Sequence, residues 1–507
     1  MTSSIQPYSQ PRRPSIAMTN VSKPPARLRS AGDFENHVPV HVVWEITLAC
    51  NLKCQHCGSR AGKARQDELS TEECYDVIDQ LAKLGTREIT LIGGEAFLRS
   101  DWTLLIDRIA KHGIYCAIQT GALHLTERRL QEAISAGLKG IGISIDGLAS
   151  HHDRIRGVPG AYAMAIETLK RAREAGLNRS VNTQIGPETM AMLPRLMEEI
   201  SAAGAKQWQL QLTVAMGNAV DNDHLLLQPY QLLELMPLLA DLADAAKKRG
   251  MQIIIGNNIG YFGPYESKLR AFNDSLMHWS GCSAGHTVIG LEADGTVKGC
   301  PSLPRAGYAG GNVRDLTVEQ IWQNSEEIHF GRLRSVDDLW GFCRSCYYAD
   351  VCRGGCTWTS HSLLGKPGNN PYCHYRALKL DSLGLRERIA KVKEAPLDPF
   401  SIGEFELILE PKSGILHGED HVHIEPPADD IHPPAILESR QPANGGKGRV
   451  PQQIEPCGAC HQYVYPDETT CPHCKANLDQ ARLLYAERKQ NAQALAAKLQ
   501  AVLQASL

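Results

Sequence analysis

Three cysteines in the run Cys50-Asn51-Leu52-Lys53-Cys54-Gln55-His56-Cys57 constrain this chain more than any other feature. They follow the apolar run Val42-Val43-Trp44-Glu45-Ile46-Thr47, which reads as a short strand, so they belong on a loop at its carboxyl end. Three thiolates on one tight loop can hold three irons of a [4Fe-4S] cluster and leave the fourth iron open to an outside ligand. Zinc is the plain alternative. Zinc closes with four ligands and prefers C-x2-C pairs, whereas the spacing here is C-x3-C-x2-C.

The residues that follow extend this reading. Val77 to Leu84 ends an amphipathic helix, and Glu88-Ile89-Thr90-Leu91-Ile92 reads as a buried strand running into Gly93-Gly94-Glu95. Two glycines let a backbone approach a ligand closely, and the adjacent carboxylate can accept from an ammonium group. Further strands are read at Tyr115–Thr120, Gly140–Gly147, Asn182–Ile185 and Trp208–Thr213, with helices such as Tyr162–Ala175 and Pro229–Lys248 between them. Alternating strands and helices imply an α/β fold with a parallel sheet, about six strands curved into a partial (β/α)6 TIM-like barrel. Thr120, Ser144, Asp146, Asn182 and Gln184 sit at strand carboxyl ends, where such barrels place their chemistry.

Triplet, barrel rhythm and Gly-Gly-Glu together resemble the radical SAM enzymes. The resemblance implies that Cys50, Cys54 and Cys57 hold a [4Fe-4S] cluster whose open iron chelates S-adenosylmethionine (SAM), and that Gly93, Gly94 and Glu95 bind its amine. It also implies a ribose contact from Ser144 and a contact to the SAM carboxylate from Arg156, with Arg154 as the neighbouring alternative. Read as residues alone, each is equally a strand-end or loop side chain meeting water.

A second cysteine set follows. Cys282 and Cys300 flank Gly295, and Cys343, Cys346, Cys352 and Cys356 are spaced C-x2-C-x5-C-x3-C, with Cys373 beyond. These seven positions resemble the SPASM domain, a holder of two auxiliary [4Fe-4S] clusters, so three clusters are expected in all. The resemblance assigns Cys343, Cys346, Cys352 and Cys373 to an outer cluster and Cys282, Cys300 and Cys356 to an inner one. The inner set lacks a fourth ligand: His278 is a candidate, an open iron is equally allowed, and a packed histidine is the simpler account of His278.

Sixteen cysteines in a secreted chain would suggest disulfides. Neither a signal peptide nor a long apolar run is read here, so a reducing cytoplasm and no membrane contact are expected. Cys74 and Cys116 are left over as small buried hydrophobes. A net charge of −3 gives no reason to expect nucleic acid.

The expected organisation is a polar disordered arm (1–37), the barrel (38–270), the auxiliary-cluster domain (271–395), and a strand-like segment with a linker rich in Pro and His (396–455). His417, His421, His423 and His432 in that linker are read as solvated rather than metal-binding. Cys457, Cys460, Cys471 and Cys474 then form two C-x2-C knuckles that suit a zinc ribbon over 456–477, rubredoxin-like iron being a lesser possibility. A helix over 478–507 follows, with Leu484, Leu495, Leu499 and Val502 roughly on one face.

These features are similar to radical SAM/SPASM maturases of ribosomally made peptides, and Trp44 to Cys373 resembles the subgroup encoded beside short Gly-Asp-Leu peptides. The resemblance implies hydrogen-atom abstraction by a 5′-deoxyadenosyl radical and an oxidative modification, a cross-link. A peptide substrate, a separate leader-binding protein and a flavodoxin or ferredoxin donor are the implied partners. The alternatives are a maturase of a folded protein of the anaerobic sulfatase type, with Asp274 as its base, and a SAM-binding iron–sulfur carrier or sensor.

Overall fold

The computed structural model describes residues 26–271, 277–413, 422–424, 454–487, 490–491 and 494. Asp274, His417, His421 and His432, and Leu495, Leu499 and Val502 of the terminal helix, lie outside the described residues, as does 1–25.

Seven parallel strands run side by side in chain order: β1 (His41–Glu45), β2 (Glu88–Ile92), β3 (Tyr115–Thr120), β4 (Gly140–Ser144), β5 (Asn178–Ile185), β6 (Gln207–Leu212) and β7 (Gln252–Ile255). The six strands read from the sequence are there, and β7 extends them. Helices cover the sheet, so the central strands β2 and β4 are apolar and buried along nearly their whole length. Thr71–Lys83 shows why such helices form where they do. Ser70 and Glu73 close a capping box at its start, and Cys74, Val77, Ile78 and Leu81 make the apolar stripe that faces the core. Cys116 is likewise fully buried in that core.

The auxiliary-cluster region is stitched into the same sheet. β8 (Val288–Leu291) pairs parallel to the free side of β1, and β9 (Thr296–Lys298) and β10 (Ala309–Asn312) add antiparallel. Beyond it, β11 (Leu385–Lys393), β12 (Glu404–Pro411) and β13 (Val422–Ile424) form a separate antiparallel sheet. A two-stranded ribbon of β14 (Glu455–Pro456) and β15 (Tyr463–Val464) carries the last four cysteines.

Residues 26–37 differ from the polar arm expected of them. Ser30 caps a short helix, Ala31–Glu35, and the Arg87 guanidinium grips Asp33 at 2.8 Å. Arg27 pairs with Glu88, and the Trp322 indole donates to the His37 carbonyl. Composition understated this segment because its partners are fixed charges on distant strands rather than apolar neighbours.

Candidate active site and metal centres

The triplet loop leaves the carboxyl end of β1 and is held by its surroundings on every side. Lys53 and Gln55 donate their backbone N–H groups to the Arg156 and Ile155 carbonyls at the end of the helix Ala149–Arg156. Asn218 donates its side-chain amide to the Cys54 carbonyl at 2.9 Å and its own N–H to the Cys57 carbonyl at 3.0 Å. Arg60 locks Asn218 in place at 2.7 Å. The sulfurs themselves receive donors: Leu52 N–H to Cys50 at 3.4 Å, Ala61 N–H to Cys57 at 3.3 Å, and the Arg156 guanidinium to Cys54 at 3.7 Å. Burial pushes the Cys50 and Cys54 thiols up to about 12 and about 11, so ionisation at neutral pH requires a cation on the loop. Three converging sulfurs with donors aimed at them fit the [4Fe-4S] group that the triplet implies.

Gly93 and Gly94 are pressed against this loop. A Cβ on Gly93 would lie 2.2 Å from the Thr47 carbonyl oxygen, and one on Gly94 2.2 Å from that of Ala49 and 2.7 Å from the Cys50 Cβ. Glu95 is buried, and its carboxylate accepts from the Thr120 hydroxyl and, at 2.6 Å, from the Gly121 N–H. Burial raises its pKa to about 7 despite those donors.

Arg156 and Ser144 occupy the same mouth. Arg156 is paired with Asp146, which also receives His56 at 2.9 Å. Ser144 accepts from the Gln119 amide at 3.0 Å, and Gln119 in turn accepts from Asn182 at 2.9 Å. Arg154 points elsewhere, pairing with Glu188 on the outside. The sequence reading missed His56, Gln119 and Asn218. His56 was visible inside the triplet, but its partner Asp146 lies ninety residues away.

The seven later cysteines divide spatially into two groups. Cys282, Cys300 and Cys356 lie close together, Cys356 buried and the other two half-buried: desolvation pushes Cys282 to about 11 and Cys300 to about 12, and the thiols of the trio add to each rise. Cys343, Cys346, Cys352 and Cys373 line a single cavity walled by Tyr261, Phe262 and Tyr348. Four thiols around one apolar cavity, Cys352 and Cys373 buried and Cys343 and Cys346 half-buried, are a donor set suited to a four-iron cluster. Tyr261 stands between the groups: it lines the cavity, and its hydroxyl accepts the Cys356 N–H at 2.9 Å. His278 does not join the trio; it packs on the rings of Phe262 and Tyr463 and meets the Trp279 carbonyl. Two buried guanidinium groups act electrostatically on the trio, Arg29 on Cys282 and Arg334 on Cys282 and Cys356.

The triplet and the trio are bridged. Met216 packs 3.7 Å from the position of a Cβ on Gly58, next to Cys57, and the Trp358 indole donates to the Met216 sulfur at 3.4 Å, two residues after Cys356. The turn before β12 closes over this point, with Phe400 N–H donating to the Gly58 carbonyl at 3.0 Å and Phe400 in the left-handed region at φ +59°.

The final four cysteines form a compact site. Their sulfurs lie within 4.8 Å of one another, with Cys457–Cys474 at 3.9 Å and Cys460–Cys471 at 3.7 Å. Metal–sulfur bonds of about 2.3 Å set tetrahedron edges near 3.8 Å, so the group fits a four-thiolate metal.

Residues 44–200 match the radical SAM superfamily, and residues 282–347 match the SPASM iron–sulfur cluster-binding domain. The chain carries a radical SAM domain followed by a SPASM domain. Its relatives include an AdoMet-dependent heme synthase of Methanosarcina barkeri, 27% identical over 365 residues covering 67% of this chain and 97% of that one. The mycofactocin maturase MftC of Mycobacterium tuberculosis is 28% identical over 343 residues, 66% of this chain and 83% of the relative. Among solved structures, Streptococcus suis SuiB bound to S-adenosylmethionine shares the fold with a TM-score of 0.54 at 16% identity, covering 68% of this chain and 78% of SuiB. SuiB bound to precursor peptide SuiA superposes at 0.53 and 15% identity, over 71% and 85%. Among the described residues, no helix of this chain is long and apolar enough to cross a membrane.

Proposed function

We propose that this enzyme modifies a ribosomally made peptide by hydrogen-atom abstraction and installs an oxidative cross-link. The observation that carries the reading is the succession of thiol sites: the triplet, then Met216 and Trp358, then the inner trio, then Tyr261 and the outer four. When bound, the triplet's cluster and SAM together supply a 5′-deoxyadenosyl radical. The chain's residues position what reacts. Glu95 would take the SAM amine, Gly93 and Gly94 let the triplet loop lie against the strand end that carries Glu95, Ser144 would serve its ribose, and Arg156 would serve its carboxylate while steadying Cys54. Oxidation of a substrate radical requires an electron acceptor nearby, a role for which the trio and the outer four are placed. Zinc is the proposed occupant of the last four cysteines.

SuiB, solved with its precursor peptide SuiA, and the maturase MftC support a peptide substrate, and the heme-synthase relatives support a second reading, a tetrapyrrole. Anaerobic reconstitution followed by SAM and dithionite tests the chemistry. Wild type yields 5′-deoxyadenosine and Cys54→Ala does not; a wild type that yields none while holding its clusters is a carrier or sensor. Mass shifts on short peptides encoded beside the gene, set against turnover of heme precursors, then separate the two substrates.

A further inference from the structure

The four-cysteine module at the end of the chain is docked on the outer thiol site. Tyr347 and Tyr348 directly follow Cys346, and both are bound by the module. The Tyr348 hydroxyl donates to the Tyr463 carbonyl at 2.8 Å and meets His473 Nε2 at 3.0 Å. Its backbone N–H points the other way, to the Cys346 sulfur at 3.4 Å, and its ring stacks on Phe262 with centroids 3.9 Å apart. Phe262 itself walls the cavity of the four outer thiols. The Tyr347 hydroxyl donates to Glu468 at 2.6 Å and accepts the Tyr465 N–H at 3.2 Å. Tyr463 reaches over to the Met277 carbonyl at 2.9 Å. Tyr348, Tyr463 and Tyr465 are buried in this contact.

His473 is the link between metal and contact, because it lies between Cys471 and Cys474. Any metal on those sulfurs fixes the turn that aims its imidazole at Tyr348. The module's own core is only Cys457, Val464, Cys471, Leu478 and Ala481 with Cys460 beside it, and two of its buried members are themselves metal ligands. So small a core holds a fold only when metal closes it.

We propose that the four-cysteine module is a metal-locked lid over the outer thiol site, and that occupancy by a thiophilic divalent cation keeps that site closed to solvent. The proposal rests on the reading that Cys343, Cys346, Cys352 and Cys373 hold a cluster. Loss of the metal releases Tyr463, Tyr465 and His473, leaving the rings of Phe262, Tyr348 and Tyr375 facing solvent on that side.

The test uses the full-length, reconstituted protein and follows iron release to bathophenanthroline, with zinc content measured in parallel. Cys474→Ser removes a metal ligand. Tyr347→Phe keeps all four ligands and breaks only the bonds to Glu468 and Tyr465. The expected result is release from the outer site about tenfold faster in Cys474→Ser, as expected for a local opening. Tyr347→Phe falls between, at full zinc content, and 5′-deoxyadenosine formation at the triplet is unchanged in both. Parent-like release from a zinc-free Cys474→Ser protein overturns the lid, and so does equal acceleration at every cluster. If iron content does not fall in the double variant Cys343→Ala/Cys346→Ala, the outer-cluster reading itself fails, and the lid fails with it.

Discussion

Arg156 donates through Nη1 to the Cys54 sulfur at 3.7 Å while its Nε and Nη2 hold Asp146 Oδ2 at 2.8 and 2.6 Å. One side chain thus ties the triplet loop to the end of β4. Asp146 is buried, and the Arg156 charge together with the hydrogen bond from His56 more than offsets the burial that would raise its pKa, holding its carboxyl well below the usual range. A depressed carboxylate contributes stability above its unfolded pKa and loses it as pH falls through the acid range. Arg156→Met leaves a buried carboxylate with only His56 and the Gln184 N–H as partners and should cost about 3–5 kcal/mol in urea unfolding. The double variant Asp146→Asn/Arg156→Met should recover part of that loss. If the single variant unfolds like the parent, the guanidinium is not the partner of that charge.

Glu95 sets a pH dependence of opposite sign. Its pKa in the folded chain is about 7 against an ordinary 4.5, with burial the cause and the Thr120, Gly121 and Arg156 interactions opposing it. Between those values the unfolded chain loses the proton while the folded one keeps it, so stability falls as pH rises from about 4.5 to 7, by up to about 3 kcal/mol. Glu95→Gln should flatten this slope. An ammonium placed on Glu95 needs it ionised, so SAM binding should release a proton below pH 7 and weaken as pH falls. Calorimetry in buffers of different ionisation enthalpy reads that proton; pH-independent binding would count against Glu95 as the amine contact.

Gly94→Ala is a steric test of the same site. The new methyl would sit 2.2 Å from the Ala49 carbonyl oxygen and 2.7 Å from the Cys50 Cβ, and both atoms are backbone or fixed by backbone. The loop must therefore move off β2. The expected outcome is loss of the triplet's cluster, seen as about four irons fewer per chain, with the SPASM irons retained. Full iron content with normal 5′-deoxyadenosine formation would show that the loop yields easily.

How much of this was legible in the sequence depends on how local the cause was. β1, β3 and β4 could be read as short runs rich in apolar residues that end in a polar one, β2 by its run into Gly93-Gly94-Glu95, β6 by the alternation of Trp208, Leu210 and Leu212 with glutamines, and β5 only over its second half, Asn182–Ile185. β7 (Gln252–Ile255) is short and only half-buried, so its own pattern did not mark it as a strand. The pairing of β8 with β1 brings residues some 240 apart into register, and no local pattern encodes that. Cysteine spacing announced the metal ligands because coordination geometry restricts spacing. The docking of the last module was silent, because Tyr347 and Tyr348 look like any buried aromatics until their hydroxyls meet Glu468, Tyr463 and His473.

The inner trio carries the last prediction. Among the described residues, neither Arg29 nor Arg334 has a carboxylate within ion-pair distance, although the Arg29 Nε is buried without a partner and Arg334 is bonded at Nη1 only to the Thr357 hydroxyl. Burial lowers both pKa values, and the Cys282 thiol is the largest influence raising them. A guanidinium held from water without a paired carboxylate is costly, so Arg29 is matched to anionic sulfur at Cys282, and Arg334 to that at Cys282 and Cys356. A nearby positive charge favours the reduced, more negative form of a cluster. Removing it makes reduction harder: a unit charge several ångströms away at an effective dielectric near 20 is worth about 2 kcal/mol, or roughly 90 mV for one electron. Arg334→Met should therefore lower the midpoint potential of the inner centre by some tens of millivolts in an EPR-monitored titration, and Arg29→Met should do the same. The outer centre, where Arg376 acts on Cys343 more strongly than Arg334 does, should move less than the inner one. An unchanged inner potential in both variants would mean that the two arginines only fill space beside the trio.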